Sequence, residues 1–156
     1  MNLSSWALGL SLIVLTIAIH TTAVVLMAFG LEARIRARVA GDPPDLRRAI
    51  PIVTGRIAAV ALTLAALHGL EGVLWALAYW YLGALDTFTD ASVYALSTMT
   101  TFEIPDLTVP DRFRMLSTLE AVNGVLLFGI STAFLFAVIQ VHWQSLFHRH
   151  ECSNDQ

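Results

Sequence analysis

Three apolar runs divide the chain, and each is longer than a bilayer's hydrocarbon core requires. The first covers about residues 6–31 and carries no Lys, Arg, Asp or Glu until Glu32. The second covers about 57–82 and is interrupted only by His68 and Glu71. The third covers about 121–143, with Asn123 and Gln140 as its main polar positions. A helix spans a bilayer with ~20 mostly apolar residues, so each run suffices. Composition agrees: 56% of the 156 residues are hydrophobic, only 13% are charged, and mean hydropathy is +0.68. Soluble domains carry roughly twice that share of charge. The expectation is an all-α membrane protein with three transmembrane helices and no separate soluble module.

Arginine placement sets an expected orientation. All nine basic residues are arginine, and Arg34, Arg36, Arg38, Arg47, Arg48 and Arg56 lie between the first two runs. Such a loop belongs on the cytoplasmic side of a cell inner membrane. The N-terminus and the 86–114 connection then lie outside, and the tail H-R-H-E-C lies inside. G-D-P-P-D breaks any helix continuing past Ala40, and Asp45 opens a short interfacial turn. The start M-N-L-S-S-W lacks a positive region, so the first run is expected to remain as a spanning helix rather than a cleaved leader. Cys152 is the single cysteine, which excludes an intrachain disulfide.

Between the second and third runs lies a short apolar segment. Asp90 reads as a helix N-cap, and a helix over 90–101 covers about half the hydrocarbon thickness. The stretch S-T-M-T-T-F-E-I-P-D closes it, Ser97 to Asp106. Backbone that enters a membrane and turns back survives only where protein buries it or water fills the space it lines. Span, half-helix, irregular strand and span make a pore-loop pattern.

With these residues in view, the chain from about Ile57 to Val141 resembles the pore domain of the tetrameric potassium-channel superfamily, in its two-span branch. Thr100, Thr101 and Asp106 stand where that family has the flanks of T-T-V-G-Y-G-D. Pro110 and Arg114 fit its outer stretch, and N-G-V-L-L-F-G-I-S-T-A-F fits its inner helix. The resemblance implies a homotetramer with a re-entrant pore helix and filter loop. It divides the chain into an extra N-terminal helix (1–31), an Arg-rich cytoplasmic loop (32–56), a pore domain (57–147) and a tail (148–156). Within the pore domain it implies an outer helix at 57–83, a pore helix at 90–101, a filter at 101–106 and an inner helix at 113–143. Gly124 and Gly129 fall at hinge positions, where they allow bending or only permit close helix contact, the commoner use. Phe128, Thr132 and Phe136, spaced by four, would line the cavity and its gate.

The filter departs from the family. Phe102, Glu103, Ile104 and Pro105 replace V-G-Y-G. A potassium filter points successive carbonyls inward, using backbone angles that glycine reaches cheaply. Glutamate at the first glycine position is penalised there, and proline at the second, with φ near −65°, is excluded. Strong potassium selection is therefore not expected. Four Glu103 side chains would form an acidic ring, the other way to select cations, and T-F-E is similar to the T-L-E of bacterial sodium channels. Four such carboxylates favour a bound divalent ion or a shared proton. Alternatively, Glu103 points behind the filter and is capped by Arg112 or Arg114. Asp86, Asp90, Glu103, Asp106 and Asp111 against two arginines would make a negative vestibule.

Other polar residues admit structural readings. His68 and Glu71 are one turn apart and are expected to pair with each other, with Asn123 or with Glu120. A metal or proton site would also need His20 to come near. Glu120 could brace the pore helix. The tail His148, His150 and Cys152 are read as a frayed end rather than a metal site. No nucleophile–base pair, phosphate loop, dinucleotide fingerprint or nucleic-acid patch is present, so enzymatic activity and nucleic-acid binding are not expected. The expected function is a weakly selective cation channel needing no cofactor, with Na+, K+ or Ca2+ as passing or bound ions. Its partners are its own copies and lipid. The rival is a non-conducting scaffold or sensor that keeps the channel framework.

Overall fold

The computed structural model describes the backbone of residues 3–39 and 46–154 and the side chains of residues 6–33 and 50–143. The expected break over 41–45 and the side chains of His148, His150 and Cys152 lie outside the described residues. Four helices follow in order: α1 Leu3–Val39, α2 Leu46–Tyr81, α3 Phe88–Met99 and α4 Arg114–Asn154, with a 3-10 turn at Asp111–Phe113. No strand occurs among the described residues. Trp6–Ala33, Ile50–Tyr81 and Asp111–Trp143 are long and apolar enough to cross a membrane. Leu26, Phe29, Leu62, Val125 and Phe136 are each at least half exposed. So much exposed apolar surface suits a membrane protein, whose solvent is lipid.

Four boundaries differ from those read in the sequence. α1 runs on to Val39, past the expected end at 31, so Arg34, Arg36 and Arg38 are helical. α2 starts at Leu46, so there is no separate interfacial turn and no late start at 57. Leucine, arginine and alanine are good helix formers, and a helix need not end where its apolar run ends. Pro51 sits inside it, removing one ladder donor. α4 likewise continues past 143 to Asn154. α3 starts two residues before Asp90, because the Thr87 hydroxyl accepts the Asp90 backbone N–H at 3.0 Å and acts as the cap. Asp90 is three residues further on, its carboxylate accepting from the same hydroxyl at 2.7 Å. The pair is a variant of the capping box.

The chain divides into two compact units. One comprises residues 1–23 and 65–129 and holds α3 with the connections on either side. Its core is Trp75, Ala76 and Tyr79 of α2, Ala91, Ala95 and Met99 of α3, Leu116 and Leu127 of α4, with Ala84, Val109 and Phe113 from the connections. The three α3 residues are spaced by four and so share a face. Small residues let the helices approach closely: a Cβ at Gly72 would meet Leu96 at 2.6 Å. α1 packs into this unit as far as residue 23. Gly9 lies against Leu119, and Thr16 and His20 are fully buried.

The second unit comprises residues 24–64 and 130–156. Leu64, Ser131, Val138 and His142 are buried in it. His142 Nδ1 donates to the Val138 carbonyl at 2.8 Å, one turn back along α4. Thr132 and Phe136 belong to this unit and are exposed.

Candidate functional site

α3 has 12 residues, about 18 Å at 1.5 Å per residue, well short of a ~30 Å hydrocarbon core. Its ends are fixed differently. Beyond the Thr87 cap, Tyr94 shares a 2.6 Å hydrogen bond with Ser117 of α4 and meets the Tyr79 ring edge-on at 5.2 Å. At the other end Met99 is wedged onto α4 at Gly124. A Cβ there would overlap the Met99 carbonyl oxygen and lie 2.8 Å from its Cα. α4 runs unbroken through Gly124 and Gly129. Gly124 thus serves close packing, while space beside Gly129 is open.

The turn after α3 is unusual. Thr101 N–H donates to the Thr98 carbonyl at 2.9 Å and Phe102 N–H to the Ser97 carbonyl at 2.8 Å. This is the Schellman pattern, which needs a left-handed residue just past the helix end. α2 closes the same way: Gly83 N–H donates to Trp80 and Ala84 N–H to Tyr79, with φ +62° at Gly83. In α3 that place is taken by Thr101, at φ +58°, the only non-glycine residue with positive φ among those described. A β-branched residue in that region is strained.

Beyond Thr101 the chain is irregular over residues 102–104 and again over 107–110. Pro105 and Asp106 then form a tight turn closed by Leu107 N–H onto the Ile104 carbonyl at 3.1 Å. Proline at the second turn position presets that geometry. Phe102, Glu103, Pro105 and Asp106 are exposed, and Ile104 is half-buried. Arg114 pairs with Asp111 at 2.9 Å, and the Arg112 guanidinium lies 4.8 Å over the Phe113 ring. These contacts, rather than Glu103, occupy the two arginines expected as its caps. Asp86, Asp90 and Asp111 are also exposed, so the acidic excess of the connection faces outward from the unit.

Under the α3 terminus, Met99, Thr100, Thr101, Val125 and Phe128 line a pocket of about 360 Å³. Thr100 turns its hydroxyl back onto the Leu96 and Ser97 carbonyls, at 3.1 and 2.9 Å. Of the three expected cavity residues, only Phe128 reaches this pocket.

Behind it lies a polar seam. His68, Glu71, Trp75 and Tyr79 are spaced by three or four along α2 and are all buried. His20 of α1 comes to them: its Nδ1 is 2.8 Å from Glu71 Oε1, and His68 Nδ1 is 3.3 Å from Glu71 Oε2. His68 stacks on Phe128 at 4.1 Å between ring centroids. The expected pairing of His68 with Glu71 is present, but Asn123 and Glu120 are engaged elsewhere. Asn123 Nδ2 donates to Thr16 at 2.9 Å, and Tyr79 donates to Glu120 Oε2 at 2.7 Å. Glu120 therefore braces α2, with Tyr79 in turn packed on Tyr94 of α3. The sequence reading missed Thr16, Tyr79 and the buried His142; only their polarity inside apolar runs could have flagged them.

Neither a protein-family model, nor a curated protein, nor a solved structure matches this chain.

Proposed function

We propose that the chain assembles as a homotetrameric cation channel with a potassium-channel-like pore and a degenerate filter. The observation that carries this reading is the half-length helix α3, whose last turn is seated on Gly124 of α4 and delivers Glu103 to an exposed position. In a four-fold assembly of membrane-spanning subunits, α3 and the segment after it form a re-entrant pore loop. Four Glu103 carboxylates then ring the axis. The exposed acids of the connection gather cations outside the ring. The α3 C-terminus directs its partial negative charge toward the pocket beneath, where a cation that has passed the ring is held. The exposed face of α4, with Val122, Val125 and Leu126, supplies apolar surface for neighbouring subunits. The arginine-rich ends of α1 and α2 lie in the cytoplasm and the Glu103 end outside.

A carbonyl ladder of the potassium type needs a run of inward-turned peptide units. Here the turn at Pro105–Asp106 interrupts the irregular segment three residues after Thr101, which supports selection by side chains over backbone. Weak discrimination among Na+ and K+, with block by Ca2+, follows. The test is cation flux into liposomes holding the purified protein, run for wild type and Glu103→Ala. The reading requires flux without strong potassium preference and relief of calcium block in the variant. A folded protein that moves no cation would favour a non-conducting scaffold, with Phe102 closing the axis.

A further inference from the structure

We infer that His20, His68 and Glu71 form a binding site for a divalent transition-metal ion of the zinc class. The ligand atoms these residues offer lie within 4.8 Å of one another, and all three residues are buried. Both oxygens of the carboxylate face a histidine nitrogen, at 2.8 and 3.3 Å. Ligands around a tetrahedral zinc stand about 3.3 Å apart, from bond lengths of ~2.0–2.1 Å. The cluster therefore admits an ion if the 2.8 Å contact opens slightly and the widest separation closes by up to about 1.5 Å.

Charge argues the same way. A carboxylate out of water requires a compensating positive group. The groups that meet the Glu71 carboxylate are His20 and His68, while the two arginines of the unit, Arg112 and Arg114, are engaged in the connection. Glu71 Oε2 is buried and accepts no hydrogen bond in this geometry. A divalent ion would bind both oxygens' neighbours at once and compensate the charge.

The donors are also held in place. His68 and Glu71 are separated by three residues on α2 and share its face, while His20 comes from α1, so two helices fix the set. His68 is packed between the rings of Phe128, at 4.1 Å, and His20, at 5.1 Å. Two imidazoles and one carboxylate are a zinc donor set that leaves a fourth position for water or another small ligand. Imidazole selects zinc, copper, nickel or iron over magnesium and calcium. This site is separate from the Glu103 ring, and its test is independent of transport.

The experiment uses the full chain, purified in detergent with its affinity tag removed, loaded with zinc and dialysed. Elemental analysis should find about one zinc per chain. Glu71→Gln and His20→Gln should each lower zinc affinity at least about tenfold, the scale at which even outer-shell partners act. Replacing His148, His150 and Cys152 together should leave the zinc in place. Cobalt loaded instead should give a visible absorption band that zinc displaces. Wild type that keeps no zinc after loading overturns the proposal, whatever the variants do. Zinc lost with the tail replacements and kept in Glu71→Gln overturns it equally.

Discussion

Thr101 concentrates the local strain of this molecule. It takes the left-handed position of a Schellman cap, which α2 gives to Gly83. No signal in the sequence marks it, because threonine is not the residue such a cap normally uses. Thr101→Gly should raise the melting temperature of the purified protein, by a gain of up to about 1 kcal/mol. A lower melting temperature would show that the threonine side chain holds more than its backbone costs. A second residue-scale test concerns Tyr79, which donates to the buried Glu120. Tyr79→Phe leaves that carboxyl without its donor and should destabilise by about 1–3 kcal/mol in the same measurement. The apolar runs showed where polar residues are scarce, but not that His20 meets Glu71 fifty-one positions away. That contact depends on how α1 packs, which no local pattern encodes.

The long helices were legible because a bilayer demands runs of a known length. Their ends were less so. Arginine and leucine extend α2 back to Leu46 without any apolar signal, and the Thr87 hydroxyl moved the start of α3. Of the two uses the sequence left open for Gly124, hinge or packing, the Met99 backbone lying against it supports packing. Gly124→Ala forces α3 and α4 apart and should cost about 1–3 kcal/mol. Gly129→Ala, with open space beside it, should be neutral or stabilising by up to ~1 kcal/mol. Thermal melts of the two variants side by side check this, and equal losses would contradict it.

At the scale of the whole molecule, the proposed pore requires several copies, because three helices long enough to span a membrane and one half-length helix do not enclose an axis by themselves. Native mass spectrometry from detergent should therefore find four copies; a stable monomer or dimer would remove the ring that the proposal requires. The order of helices was readable from the chain, and so was the lack of glycine between Thr101 and Asp106. Where Glu103 points was not. Its exposure, with Arg112 and Arg114 engaged elsewhere, favours the ring. The most direct measurement is the reversal potential of single channels in a planar bilayer, with K+ on one side and Na+ on the other. A side-chain ring predicts a value near about 0 mV, moved by Glu103→Ala, because no carbonyl ladder discriminates the two ions. A reversal potential close to that of a potassium electrode, unchanged in the variant, would contradict the account.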